Sequence, residues 1–334
     1  MFRPWLPEMT LDEKGFVLAQ LPVFIGGVLA ASAVVFLASA ARGGKAGLLA
    51  LAWLPLELLY YGMGYNPALP RELYYPKTPA LEFLSQDRSL YRVLGLSWTL
   101  APDTGILYGI QDARGQDYVT VKRYEELITG KSGEYFFYNA VADLPASFAS
   151  LGVKYLLAPN AWKPTVGLDR VFTGEMSIYR VTAALERAQV LFDYKVVGAA
   201  QALSLMRSPG FDPKRTLLLE QEPFPLPVAA VSPASAAPAS ARVRSFGPND
   251  VLVEAVSPRP GFLLLLDTYY PGWKAFVNEA PAAIYRADYN FRAVQVPAGK
   301  SLVRFVYTPL SFYAGLGACL ATLFFLILAW RRSQ

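Results

Sequence analysis

The chain of 334 residues contains no histidine, and its single cysteine, Cys319, lies inside a long apolar run. Without histidine, Ser-His-Asp and Cys-His catalysis and imidazole-ligated zinc sites are excluded. Outside that apolar run there is no cysteine to form a disulfide, and no glycine-rich phosphate loop or dinucleotide fingerprint is present. Any chemistry must therefore use carboxylates, Lys, Tyr or a hard cation held by oxygen ligands, and the sequence predicts neither a cofactor nor a metal site.

Charge is also missing from three long apolar runs, at 15–41, 46–63 and 310–330, apart from one acid, Glu57. A hydrocarbon core about 30 Å thick needs roughly 20 apolar residues to cross it in a helix. The runs therefore predict three transmembrane helices. An isolated Glu57 at mid-bilayer would cost roughly 2.5–3.5 kcal/mol, so we expect it to face protein or water, in either a helix-packing or a functional role.

Basic residues near the apolar runs predict the orientation of the helices. Arg42 and Lys45 lie between the first two runs, and Arg331 and Arg332 follow the third. Lys and Arg near span ends stay on the cytoplasmic side. We therefore expect the loop and the C-terminus to be cytoplasmic and residues 65–309 to lie outside. The first helix then has its N-terminus outside, as expected if further helices of a longer parent protein precede it.

The net charge of +5 is small for a chain of this length. Because nucleic-acid affinity depends on many clustered phosphate contacts, we expect no nucleic-acid partner. The predicted partner is the lipid bilayer, in keeping with 54% apolar residues and a mean hydropathy of +0.28.

The external region divides at a run rich in Pro, Ala and Ser, 223–240, which predicts a linker. Before it, in 65–222, helical and strand-like patterns alternate and predict an α/β domain. After it, in 241–309, short strands separated by turn residues predict an antiparallel sandwich of jelly-roll type. With a membrane segment at 1–64 and another at 310–334, the fold class is membrane-anchored α+β.

Several ordered segments carry a family resemblance. They read DTYYPGWKA at 267–275, NFRAV at 290–294, VPAG at 296–299 and FVYTP at 305–309, preceded by YPKTP at 75–79, DARGQDY at 112–118 and LGVKYLL at 151–157. In this order they resemble the C-terminal end of the YfhO-type bacterial membrane proteins, over most of the chain from about residue 60 onward.

That family is polytopic and is similar to lipid-carrier-dependent glycosyltransferases of the GT-C type, which attach sugars to cell-envelope polymers. Their catalytic carboxylate lies in an early extracytoplasmic loop of a helical module that this chain lacks. The resemblance therefore implies the C-terminal extracytoplasmic portion of such a protein in a bacterial plasma membrane, serving as an acceptor-facing or structural module. Envelope glycan or a lipid-linked sugar is the implied partner, and no residue here is assigned to catalysis.

Two alternatives to this function stay open at the level of the sequence. One is a non-enzymatic, membrane-anchored binding or structural module, and the other is a carboxylate-dependent hydrolase. Asp112, Arg114 and Asp117 are candidates for contacting a cation or a sugar hydroxyl. The alternative is a turn in which Arg114 pairs with a carboxylate and Gly115 takes a positive φ.

An aromatic cluster surrounds the Pro-Gly turn that follows the strand ending at Asp267. Tyr269, Tyr270 and Trp273 are candidates for stacking on sugar rings, or else they cover the end of the core or lie at the lipid interface. Asp267 is expected to cap the turn by accepting backbone N–H groups.

Overall fold

The structure is a computed structural model. It describes residues 76–96, 99–101, 104–115, 121–129, 149–164, 167–208, 210–224 and 238–332, with isolated helical positions at 26–27, 30–33, 36, 55 and 59. The chain divides into two compact units, 1–77 and 78–334, and all of the described strands belong to the second unit. Glu57 and nearly all of the predicted spans 15–41 and 46–63 lie outside the described residues.

The described elements of the second unit alternate between helices and strands at first and then are almost all strands. The helices are α1 Pro79–Gln86, α2 Thr104–Tyr108, α3 Lys122–Thr129, α4 Ala199–Met206 and α5 Leu310–Arg332. The strands are β1 Arg92–Gly95, β2 Gln111–Asp112, β3 Val153–Ala158, β4 Leu168–Thr173, β5 Ser177–Val181, β6 Ala188–Leu191, β7 Asp193–Val196, β8 Thr216–Leu219, β9 Ser240–Phe246, β10 Asp250–Ser257, β11 Gly261–Thr268, β12 Trp273–Val277, β13 Ala280–Ala282, β14 Tyr285–Ala287, β15 Phe291–Val296 and β16 Gly299–Tyr307.

The first sheet has the order β2-β1-β3-β5-β4 and is mixed. Strand β1 runs parallel to β2 and β3, whereas β5 pairs antiparallel with β3 and β4. Helix α1 starts at a local cap: Thr78 is the N-cap, its hydroxyl accepts from the Leu81 amide at 3.4 Å, and Pro79 occupies the first turn.

The second and third sheets pack face to face as a sandwich. One has the order β13-β12-β16-β10-β9 and the other β6-β11-β15-β14-β8-β7. Pairing is antiparallel except between β7 and β8, and β9 and β10 form a hairpin. Since β6, β7 and β8 precede the predicted linker 223–240, the sandwich takes strands from both sides of it. This differs from the predicted division, because the short strands of 188–219 find their partners in the later β region.

Strand β11 is the centre of the fold because both of its faces are buried. Leu263 and Leu265 enter the core between the two sandwich sheets, with Phe305 opposite. Leu264 and Leu266 enter a second core shared with the first sheet and with helices α3 and α4. A strand buried on both sides reads as a continuous apolar run rather than an alternation, which explains the sequence GFLLLL.

Helix α5 follows β16 after only Thr308 and Pro309. It has a mean hydropathy of 2.2 over its most apolar stretch, buries none of that stretch, and is long and apolar enough to cross a membrane. Its last turn carries Arg331 and Arg332. Within the described residues it is the one such helix, so the structure is α+β, mostly β-sheet, with one candidate membrane-spanning helix at the C-terminal end.

Candidate functional site

Asp267 lies where the three sheets come together. It lies near the end of β11, within the strand, and its side chain is only 10% exposed. The expectation that it caps the following turn is wrong, because its carboxylate is taken up by three guanidinium groups instead. One apolar strand thus ends in a buried acid whose partners come from distant parts of the chain.

The three guanidinium groups approach Asp267 from different elements. Arg187, just before β6, places Nη2 at 2.7 Å from Oδ1. Arg292, in β15, places Nη2 at 3.1 Å from Oδ2. Arg92, in the first sheet, places Nη2 at 3.2 Å from Oδ1 and also donates to the carbonyl oxygens of Leu266 and Leu151, at 2.7 and 2.8 Å. We call Arg92, Arg187, Arg292 and Asp267 the arginine cluster.

The arginine cluster carries more positive than negative charge. Three guanidinium cations share one carboxylate, and among the described residues their ion pairs involve only Asp267. Burial lowers the pKa of both Arg187 and Arg292 to about 10, with the neighbouring Arg92 adding to the effect on Arg187. Both groups therefore stay charged near neutral pH, and two positive charges are left without a counterion among the residues that the structure describes.

Some hydrogen-bond donors of the cluster also lack acceptors. Nε and Nη1 of both Arg187 and Arg292 are buried without a partner among the described residues. Aromatic faces cover these guanidinium groups: the ring of Trp273 lies 3.8 Å from Cζ of Arg292, and the ring of Phe246 lies 4.8 Å from Cζ of Arg187. Such stacking stabilises the charge but leaves the N–H groups unsatisfied.

A cleft of about 400 Å³ opens over the arginine cluster. Arg92, Arg292 and Asp267 contribute polar walls, and the aromatic walls are Phe246, Tyr270, Trp273 and Tyr307. A second cleft, of about 430 Å³, has Lys154, Arg180 and Arg187 in its wall. We call the first the aromatic cleft, since its rings and guanidinium groups together suit a ligand that is both anionic and able to stack.

The aromatic cleft lies at the junction with α5. The rings of Trp273 and Tyr307 are 5.2 Å apart, and the Thr308 amide donates to the Gly272 carbonyl at 2.8 Å. Gly272 has φ +104, and a Cβ there would lie 3.1 Å from Cα of Pro309. The Pro-Gly turn is therefore packed directly against the two-residue link to the apolar helix, and the cleft opens close to the start of that helix.

The three predicted aromatic residues do not form one cluster in the structure. Tyr270, half exposed, and Trp273 line the aromatic cleft. Tyr269 lies instead against Arg286, whose Cζ is 4.4 Å from the ring centroid. Its amide donates to the Asn290 carbonyl.

Two of the three predicted polar candidates, Asp112 and Arg114, form an ion pair with each other. Arg114 lies 2% exposed against Asp112, with its Nε 3.1 Å from both carboxylate oxygens and its Nη2 2.5 Å from Oδ2. Nη2 also donates to the Leu100 carbonyl at 2.7 Å, and Gly115 has φ +47. This is the ion-paired turn that was the alternative to a ligand contact. Asp117 lies outside the described residues.

Sequence reasoning missed the arginine cluster. Its four members are separated by up to 200 positions and share no local motif. The one available signal was Arg292 inside the apolar strand 291–296 and Asp267 at the end of another, because a charge in a buried strand needs a partner. No protein-family model, curated protein or solved structure matches this chain.

Proposed function

We propose that this chain is the membrane-anchored, extracytoplasmic portion of a cell-envelope glycosylation protein resembling the YfhO type, and that it holds the acceptor rather than performing the chemistry. In this proposal α5 crosses the bacterial plasma membrane with its C-terminus inside. The sandwich then lies on the outer surface, and the aromatic cleft opens toward the envelope.

One observation carries the proposal: a cleft with aromatic and basic walls opens beside the start of the apolar helix α5. A ligand held there is kept at the membrane surface, where lipid-linked sugars and growing envelope polymers meet. Aromatic rings such as Trp273 and Tyr270 offer stacking faces to sugars. Asp267 is engaged by three guanidinium groups, which favours binding over acid–base chemistry.

The orientation is tested by labelling with a membrane-impermeant maleimide in intact cells. Cys319→Ser removes the only thiol, and two single cysteines are then introduced separately, Ser245→Cys on the exposed side of β9 and Ser333→Cys in the tail. The proposal predicts that the first is labelled in intact cells and the second only after permeabilisation. The reverse pattern would place the sandwich in the cytoplasm and contradict the proposal.

The role in glycosylation is tested by the sugar content of purified envelope polymers from the host. Cells that lack the chain should lose sugar substituents, and Trp273→Ala should lower the content without lowering the abundance of the protein. Unchanged polymers in cells lacking the chain would favour the second candidate, a binding or structural module that works without glycosylation. The ion pairs of Asp267 fit this candidate equally, because neither candidate needs Asp267 as an acid or a base.

A further inference from the structure

We infer that the aromatic cleft binds a phosphate group, which Arg92 and Arg292 hold with support from Arg187. This inference rests on the proposed function only for placing the phosphate at the outer membrane surface. The phosphate is carried either by a lipid headgroup or by a soluble molecule.

The charge of the arginine cluster favours a phosphate. The arginine cluster carries two positive charges that no described carboxylate balances. Arg187 and Arg292 are 8% and 2% exposed, so bulk water and salt screen these charges poorly. A phosphate dianion or a pyrophosphate supplies the missing negative charge, whereas a single carboxylate supplies only half of it.

The arginine cluster also holds hydrogen-bond donors that suit phosphate oxygens. Arg292 and Arg187 each keep two buried N–H-bearing atoms, Nε and Nη1, without an acceptor among the described residues. In both residues Nη2, the terminal nitrogen that forms a planar fork with Nε, is already directed to Asp267. The remaining N–H groups of Nε and Nη1 lie on different edges of the guanidinium, so each can donate a single charge-assisted hydrogen bond to a phosphate oxygen. Arg292 lies in the wall of the aromatic cleft and donates directly, whereas Arg187 lies in the wall of the second cleft and contributes its charge.

The aromatic cleft gives a ligand access to the arginine cluster. Arg92 and Arg292 both lie in the wall of the cleft, and Trp273 lies over the guanidinium of Arg292 and lines the same cleft. A rotation of the indole therefore exposes Arg292 to a ligand, and the displaced ring can stack on a sugar attached to the phosphate. A volume of about 400 Å³ accommodates a phosphate with one sugar ring.

The test uses the full chain in nanodiscs and two kinds of probe. Inorganic pyrophosphate is titrated calorimetrically against protein in phosphatidylcholine nanodiscs. In the second arm, the pyrophosphate titration is repeated with the protein in nanodiscs that contain phosphatidic acid. Binding of pyrophosphate in the first arm supports the inference. If phosphatidic acid weakens that binding, the site takes lipid phosphate; if it does not, the site takes a soluble phosphate.

Two variants and two controls locate the site. Arg292→Gln should weaken pyrophosphate binding roughly tenfold or more, since hydrogen bonds between charged groups are among the strongest. Arg304→Gln is the control, because Arg304 pairs with Asp250 on the exposed face. Asn249→Asp is a near-isosteric change at the rim of the cleft, and it should weaken binding about threefold to tenfold by like-charge repulsion. Asn278→Asp, the same change outside the cleft lining, should not.

The Asn249 comparison keeps the test decisive if Arg292→Gln fails to fold. The inference is overturned if pyrophosphate does not bind, if folded Arg292→Gln binds as tightly as wild type, or if Asn249→Asp and Asn278→Asp weaken binding equally. Equal affinity for acetate would also overturn it, because that would indicate attraction to charge without recognition of phosphate. In each of these cases correct maleimide labelling of Ser245→Cys would leave the proposed location of the module standing.

Discussion

Asp267→Asn is the most informative single substitution, because it removes one charge and almost no volume. The wild-type carboxylate receives three guanidinium nitrogens at 2.7, 3.1 and 3.2 Å, and its side chain is 10% exposed. Removing one partner from a buried ion pair typically costs about 3–5 kcal/mol, because it leaves uncompensated charge in the interior. Here three cations lose the one carboxylate that pairs with them among the described residues, so we expect a loss in this range.

The assay is guanidinium chloride unfolding of the detergent-solubilised chain, followed by near-ultraviolet circular dichroism. For a unit of this size the same loss lowers Tm by roughly 6–20 °C. Asp250→Asn is the control, since it breaks the exposed ion pair with Arg304 and should leave the midpoint almost unchanged. A loss below about 1 kcal/mol for Asp267→Asn would refute the reasoning, because it would mean that water already reaches and screens the guanidinium groups.

A companion variant separates charge from packing. Asp267→Asn combined with Arg292→Met removes one of the cations that the first change leaves unpaired. The loss in the double variant should therefore be smaller than the sum of the two single losses, with a coupling of about 1–3 kcal/mol. Strict additivity would indicate that the two side chains stabilise the fold independently, despite the 3.1 Å between them.

Three further predictions concern other parts of the fold. Burial raises the pKa of Asp288 from 3.8 to about 7, so between these pH values the native state binds a proton that the unfolded state has released. The free energy of unfolding of the wild type should therefore fall by up to about 4 kcal/mol as pH rises from about 4 to about 7. Asp288→Asn should flatten this dependence in unfolding titrations. Gly152→Ala should lower the free energy of unfolding by about 1–2 kcal/mol in chemical denaturation, since Gly152 has φ +69 and a Cβ there would lie 3.0 Å from Cδ1 of Leu266. Gly210 has neither constraint, so Gly210→Ala should be nearly neutral. Thr78→Ala should cost about 1 kcal/mol through loss of the N-cap of α1, with Thr78→Ser retaining most of the stability.

Local signals in the sequence predicted much of the β structure. Strands β3, β5 and β15 coincide with short, mostly apolar runs, and β9 and β10 form a hairpin joined at Gly-Pro-Asn. Such signals depend on neighbouring residues alone: a short apolar run in each of these strands, and turn chemistry in the hairpin. Strand β4, from Leu168 to Thr173, carries a weaker local signal, because its residues are half-buried to exposed and do not alternate regularly.

The pairing of strands was not predictable in the same way. Nothing local in 188–191 shows that β6 pairs with β11 beyond the predicted linker, because that partnership is fixed by packing across more than 70 residues. The candidate site depends on the same long-range pairing. Arg187 reaches Asp267 because β6 lies beside β11, and Arg92 reaches it because the first sheet packs on the other face. Aromatic residues beside a Pro-Gly turn were visible in the sequence, but the basic wall opposite them was not.

The central claim is that the arginine cluster binds a phosphate group in the aromatic cleft. An experimental structure of the full chain in nanodiscs, determined with pyrophosphate, tests it most directly. The account predicts an anion in the aromatic cleft with oxygens about 3 Å from nitrogens of Arg92 and Arg292, and with the indole of Trp273 turned away. A cleft without an anion, with Trp273 still stacked on Arg292 at saturating pyrophosphate, would contradict it.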